Sequence, residues 1–178
     1  MTSRGSSDPT AEPPDVGPDY AGAADAGVVS SVGEHDAAAG DIVEVVLAEH
    51  RKIERVFAEL TLLVEADDVD GLRLRWGGVV REILEHEAAE RRVVLAAVEQ
   101  GDGAGPARDV RRQQQELMDR LGRYDALNPD VSAEDVRTAM DATRAYLRTV
   151  DQVVVPLLER LPAEERMRLG EDLRQVKG

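Results

Sequence analysis

Two of the chain's three histidines stand where a helix should be apolar. In "REILEHEAAERRVVLAAV", residues 81–98, the positions Ile83, His86, Glu90, Val93 and Ala97 recur at helical spacing, so an imidazole and a carboxylate lie one turn apart on the face a helix buries. In "LAEHRKIERVFAEL" His50 interrupts a stripe of Val46, Ile53, Phe57, Leu60 and Val64 in the same way. A single core histidine is most often a hydrogen-bonded structural residue. Two of them with a glutamate are harder to explain so, because a buried carboxylate is costly unless a cation or a metal faces it. Two imidazoles and one carboxylate are the ligand type of mononuclear non-heme Fe(II) sites, and they suit Zn as well. Glu54, one turn after His50, and Glu87, beside His86, are reserve carboxylates; both read more simply as solvated surface acids.

The elements that would carry these residues are helices. "DIVEVVLAEHRKIERVFAELTLLVEA" opens on Asp41 as an N-cap. A second periodic segment runs from about Gly71 to Glu99, with Gly77 and Gly78 marking a bend or a close contact, and stops at "QGDGAGP". A third, from about Ala107 to Leu127, stripes Val110, Gln114, Leu117, Leu121 and Tyr124 before "NPD" breaks it. Ser132 with Asp135 suggests a capping box for a fourth, whose stripe runs Val136, Met140, Thr143, Tyr146 or Leu147, Val150, Val154, Leu157 and Leu161. Pro156 should kink this helix or end its regular hydrogen bonding near Gln152. "AEERMRLGEDLRQV" adds a short C-terminal helix. Four such segments with shortish loops and no strand pattern predict an all-α protein, an up-down-up-down four-helix bundle over residues 41–178.

Residues 1–40 read as a disordered tail: four prolines, six glycines and seven acidic residues against Arg4 alone, with almost no large apolar side chain to repay ordering. The net charge of -14 argues against nucleic acid or an anionic membrane as an unaided partner. Zero cysteines leave His, Asp and Glu as the ligand set for a metal. No apolar run is long enough for a membrane span, and the N-terminus lacks the blocks of a signal peptide, so the expected location is the cytoplasm.

With those residues in view, the chain resembles the hemerythrin-like, or HHE cation-binding, domain family. The resemblance rests on "LAEHRKIERVFAEL" and "ILEHEAAERRVVLAAV", followed by "QQQELMDRLGRYDALNPD" and "YLRTVDQVVVPLLERLPAEERMRLGEDL", and it covers the chain from about Ile42 onward. It implies a four-helix bundle whose core holds two irons, with a histidine from helix one, an H-x-x-x-E pair from helix two, a histidine from helix three and a second H-x-x-x-E pair from helix four. His50, His86 and Glu90 match the first half. Matched onto the second half, Gln114 stands at the helix-three histidine, and Tyr146 and Val150 stand at the second pair, with Asp151 the nearest carboxylate. Gln114 suits a supporting hydrogen bond better than ligation, and Tyr146 either caps the site or coordinates through its phenolate. The plainer alternative is that Gln114 and Tyr146 satisfy each other inside the bundle.

Three functions stay open at this stage. One is a metal-binding domain with a single iron, or another divalent metal, in oxygen or redox sensing or handling. Another is a metal-free bundle acting on a protein partner. A third is a mononuclear iron oxygenase, which needs a pocket for a small organic substrate. Whether the protein is an enzyme stays open with them.

Overall fold

The computed structural model describes residues 40–101, 103–124 and 131–177. The expected tail, the end of the third segment at Leu127 and the "NPD" break lie outside the described residues, Gly40 excepted. All regular structure among the described residues is helical. Helix α1 spans Ile42–Glu65. Helix α2 runs Val69–Glu90 and continues through a π-helical turn, Arg91–Leu95, into Ala96–Gln100. Helix α3 is Ala104–Leu121, with a 3-10 turn Gly122–Tyr124. Helix α4 runs Ala133–Thr149, passes through a second π-helical turn, Val150–Val154, and ends with Val155–Leu158. Helix α5 is Ala163–Lys177.

Local chemistry fixes the ends. Asp41 accepts from the Val43 amide, and Ser132 and Asp135 form the full capping box. Between α1 and α2, Asp67 takes the left-handed conformation at φ 54°, its amide bonded to the Val64 carbonyl and that of Asp68 to the Leu63 carbonyl. This is a Schellman stop, and Asp68 then caps α2 by accepting from the Gly71 amide at 2.9 Å. Helix α2 therefore starts two residues before the position the glycine signal suggested, and α3 starts ahead of Ala107.

Cross-helix pairs give the topology. Glu59 meets Arg75 while His50 meets Glu90, so α1 and α2 are antiparallel. Glu99 with Arg111 and Glu87 with Gln114 make α2 and α3 antiparallel, and Glu54 with Arg144 and His50 with Asp151 do the same for α1 and α4. The result is the up-down-up-down bundle. Helix α5 lies outside it and runs alongside α1 in the same direction, tied by Asp41 to Arg166 at 2.6 Å and by Glu49 to Lys177. At Gly170 an added Cβ would meet the Gly40 carbonyl oxygen at 2.1 Å, so only glycine lets α5 approach the start of α1 this closely.

The two π-helical turns shift the buried stripes. A π turn bonds i to i+5 and inserts a residue into the period. In α2 the buried residues after Glu90 are Val93, Val94, Leu95 and Val98, so the expected Val93 is inward and the expected Ala97 is only half-buried. In α4 Val150 and Val154 are followed inward by Val155 and Leu158, with Leu157 and Leu161 displaced to half-buried positions. Pro156 sits in the first turn after the second π turn, which is the interruption of regular bonding its missing amide requires. The expected close contact at Gly78 is not found: a Cβ there would meet nothing within 4 Å.

Candidate metal centre

His50 from the middle of α1 and His86 with Glu90 from the end of α2's regular stretch converge in the core. One ligand atom from each lies within 4.8 Å of the others, and all three residues are buried. His50 Nε2 is 3.2 Å from Glu90 Oε1, and His86 Nε2 is 3.9 Å from the same oxygen. The two rings meet edge to face with centroids 5.4 Å apart.

The π turn of α4 supplies the next contact. It presents Asp151, whose Oδ1 lies 2.7 Å from His50 Nδ1. Asp151 is 39% exposed, so it orients His50 from the bundle's edge and does not enter the trio. A carboxylate on the second nitrogen of an imidazole selects the ring's orientation and raises its basicity, as in many metal sites. His86 has no counterpart: neither of its ring nitrogens finds a hydrogen-bond partner, although the residue is 2% exposed.

Electrostatics follow these contacts. Burial opposes charge on His50, but the Glu90 and Asp151 carboxylates outweigh it and hold its pKa above the ordinary imidazole value. For His86 burial wins and pushes the pKa down to about 4, so the ring is neutral at physiological pH and has a nitrogen lone pair to give. Burial also works against ionised Glu90, yet the hydrogen bond from His50 and the charges of both histidines overcome it, and Glu90 stays below its ordinary value.

Glu87 is the residue the sequence reading misplaced. It is fully buried, not solvated, because α2 packs on α1 along one side and on α3 along another, which widens its inward arc to include both His86 and Glu87. Gln114 from α3 donates its amide to Glu87 Oε2 at 3.0 Å and to the Glu87 carbonyl oxygen at 2.9 Å. Burial and the nearby Glu90 carboxylate push the Glu87 pKa well up, so this side chain is held protonated. Tyr146 donates its hydroxyl to Glu90 Oε2 at 3.3 Å and also faces Glu87. Gln114 and Tyr146 therefore do not satisfy each other; each serves a glutamate of α2. Burial and the neighbouring Glu90 carboxylate drive the Tyr146 pKa far up, which keeps the phenol protonated in this arrangement. Val150 is fully buried and contributes no donor. Glu54 is a surface acid as expected, paired with Arg144 at 3.0 Å. The one signal for Glu87 was Gln114 itself, since a buried amide on a facing stripe needs a polar partner.

The trio fits a divalent cation. Its donors are two nitrogens and one carboxylate oxygen from rigid helices, and His86 carries an imidazole with no other use for its lone pair. A four-helix bundle with a buried two-histidine, one-carboxylate cluster belongs to the class of helical proteins that build cation sites between facing helices. Residues 41–158 match the hemerythrin HHE cation-binding domain, and the chain belongs to that family. Comparison with curated proteins and with solved structures gave no match. Helix α5 lies beyond the matched residues. No helix among the described residues is long and apolar enough to cross a membrane.

Proposed function

We propose that the bundle is a metal-binding domain holding one non-heme iron, or another divalent metal, through His50, His86 and Glu90, and that it serves in oxygen or redox sensing or handling. The observation that carries this reading is His86, a buried, neutral imidazole with no hydrogen-bond partner on either nitrogen. Leaving such a group unpaired costs about 1–3 kcal/mol, which a bound cation offsets. A single metal is favoured over two because Gln114, Tyr146 and Val150 stand at the second-half positions, where Val150 has no donor atom, Tyr146 gives its hydroxyl to Glu90 and the Gln114 amide nitrogen is held by Glu87. When bound, such a metal supplies open coordination positions for a small ligand. Around it, Asp151 fixes the His50 ring and Tyr146 holds the far oxygen of Glu90.

A second reading, a metal-free bundle acting on a protein partner, also has an observation behind it. Both oxygens of Glu90 are already partnered within the protein, by His50 and by Tyr146. Elemental analysis per chain, after anaerobic and aerobic purification, separates the two. The metal reading expects about one metal per chain. No metal above background supports the scaffold, and two irons with the absorption of an oxo-bridged pair would contradict the single-metal reading.

A further inference from the structure

All three donors of the trio come from α1 and α2, so the coordination positions left open on a bound metal face α3 and α4. The contacts of Glu90 agree, since Oε1 faces His50 and His86 and Oε2 is left to Tyr146 of α4. Of the side chains on that side, Gln114 and Val150 are fully buried, whereas Tyr146 reaches in both directions. Its hydroxyl meets Glu90 at 3.3 Å, and the residue also lines a groove of about 250 Å³ on the outer seam of α3 and α4. The rim of the groove is Gln113, Glu116 and Arg120 of α3 with Ala145 and Thr149 of α4, and its inner side is Leu117 and Tyr146, both buried. A helical side chain leans over the turn before it, which sets the Tyr146 ring at the level of Ala142, a groove residue with nothing beyond Cβ to block the ring. The bond to Glu90 is long for a hydroxyl on a carboxylate, where about 2.5–2.7 Å is usual, so the latch on the ring is weak.

We propose that Tyr146 is the gate of the centre: its ring swings into the groove between α3 and α4 and opens a route by which a small uncharged molecule reaches the open coordination side. What the route serves rests on the metal reading above. The class of ligand follows from the lining. Glu116 and Arg120 stand one turn apart with opposite charge, so the mouth steers neither anions nor cations. At the inner end a phenol ring and a leucine would strip an ion of its water without replacing it. The seam of α1 and α2 has no such door, because the groove there is lined by His86, which is itself one of the trio and cannot swing away without breaking the site.

The chain has no cysteine, so Val150→Cys in the full chain places a single thiol one turn beyond Tyr146 on the buried face of α4. Its labelling rate in chelator is measured with uncharged methyl methanethiosulfonate and with the anionic sulfonatoethyl reagent, each relative to the same thiol in the urea-unfolded chain. The uncharged reagent should then be about tenfold faster or more. Ala145 is exposed on the groove, so adding Ala145→Trp should slow it about tenfold, while Ala88→Trp, on the exposed lining of the groove between α1 and α2, should leave it unchanged. Tyr146→Phe, which loses the bond to Glu90 and keeps the ring, should speed it severalfold. Labelling that proceeds at the global unfolding rate, that is equal for the two reagents, or that neither Ala145→Trp nor Tyr146→Phe alters overturns the proposal. Because every rate is taken without metal, a chain that labels as expected but takes up no iron would uphold the gate and defeat the metal reading, and the reverse pattern would do the opposite.

Discussion

Asp151 holds His50 Nδ1 at 2.7 Å from a π-helical turn, so the ring that faces Glu90 is aimed by a side chain on a different helix. That arrangement makes α4 a participant in the site although its own residues at the second-half positions, Tyr146 and Val150, are a phenol and a hydrocarbon.

Asp151→Ala should therefore weaken metal binding about 10–100-fold while changing metal-free stability by less than about 1 kcal/mol, because the carboxylate is well exposed and acts through His50. Competitive chelator titration gives the first quantity and denaturant unfolding the second. Asp151→Asn should recover part of the affinity, since an amide oxygen still accepts from Nδ1–H. Equal loss of stability with and without metal, at unchanged affinity, would mark Asp151 as merely structural.

Glu87 predicts a pH dependence of the metal-stripped protein. Its folded pKa is raised above the ordinary 4.5 by burial and by Glu90, so the native state keeps a proton that the unfolded chain releases. The contribution is fully favourable below about pH 4.5 and is lost as pH rises toward the folded value. Each pH unit over which only the unfolded state has released the proton costs roughly 1.4 kcal/mol. Glu87→Gln cannot ionise and still offers an oxygen to Gln114, so it should equal wild type near pH 4.5 and exceed it in stability at pH 7. Denaturation curves at the two pH values check this, and a variant less stable than wild type at pH 7 would show that Glu87 is ionised in the fold.

Gly170→Ala tests how α5 is held. Alanine within an exposed helix normally gains about 0.5–1 kcal/mol over glycine. Here its Cβ would press on the Gly40 carbonyl, a backbone atom that cannot swing away, so the change should cost about 1–3 kcal/mol. Urea unfolding of the two proteins measures it; a stabilised variant would mean that α5 docks more loosely than described.

The apolar stripes of α1 and α3 were legible from spacing, as were the caps at Asp41 and Ser132 and the inward placing of His50, His86 and Glu90. Counting at a constant 3.6 residues per turn could not see the π turns, and so it placed Ala97 and Leu157 where Val98 and Leu158 stand. Glu87 was lost for another reason. Residue type argues that a glutamate faces water, and only the three-dimensional meeting of α2 with Gln114 of α3 overrides that preference. The docking of α5 along α1 was out of reach as well, because it rests on the long-range pairs of Asp41 with Arg166 and Glu49 with Lys177, which no local pattern encodes.

Melting curves of wild type and Glu90→Gln, each with chelator and with Fe(II), test the central claim most directly. With chelator the substitution should lower stability in either reading, because it removes the carboxylate that pairs with His50. The decisive quantity is the change on adding metal. At about 100 times the dissociation constant, a single site adds about 2.7 kcal/mol, or roughly 5–10 °C for a domain of this size. Wild type should show that rise and Glu90→Gln should show little of it. A wild-type melting temperature that is the same in chelator and in Fe(II) would contradict a metal site at His50, His86 and Glu90.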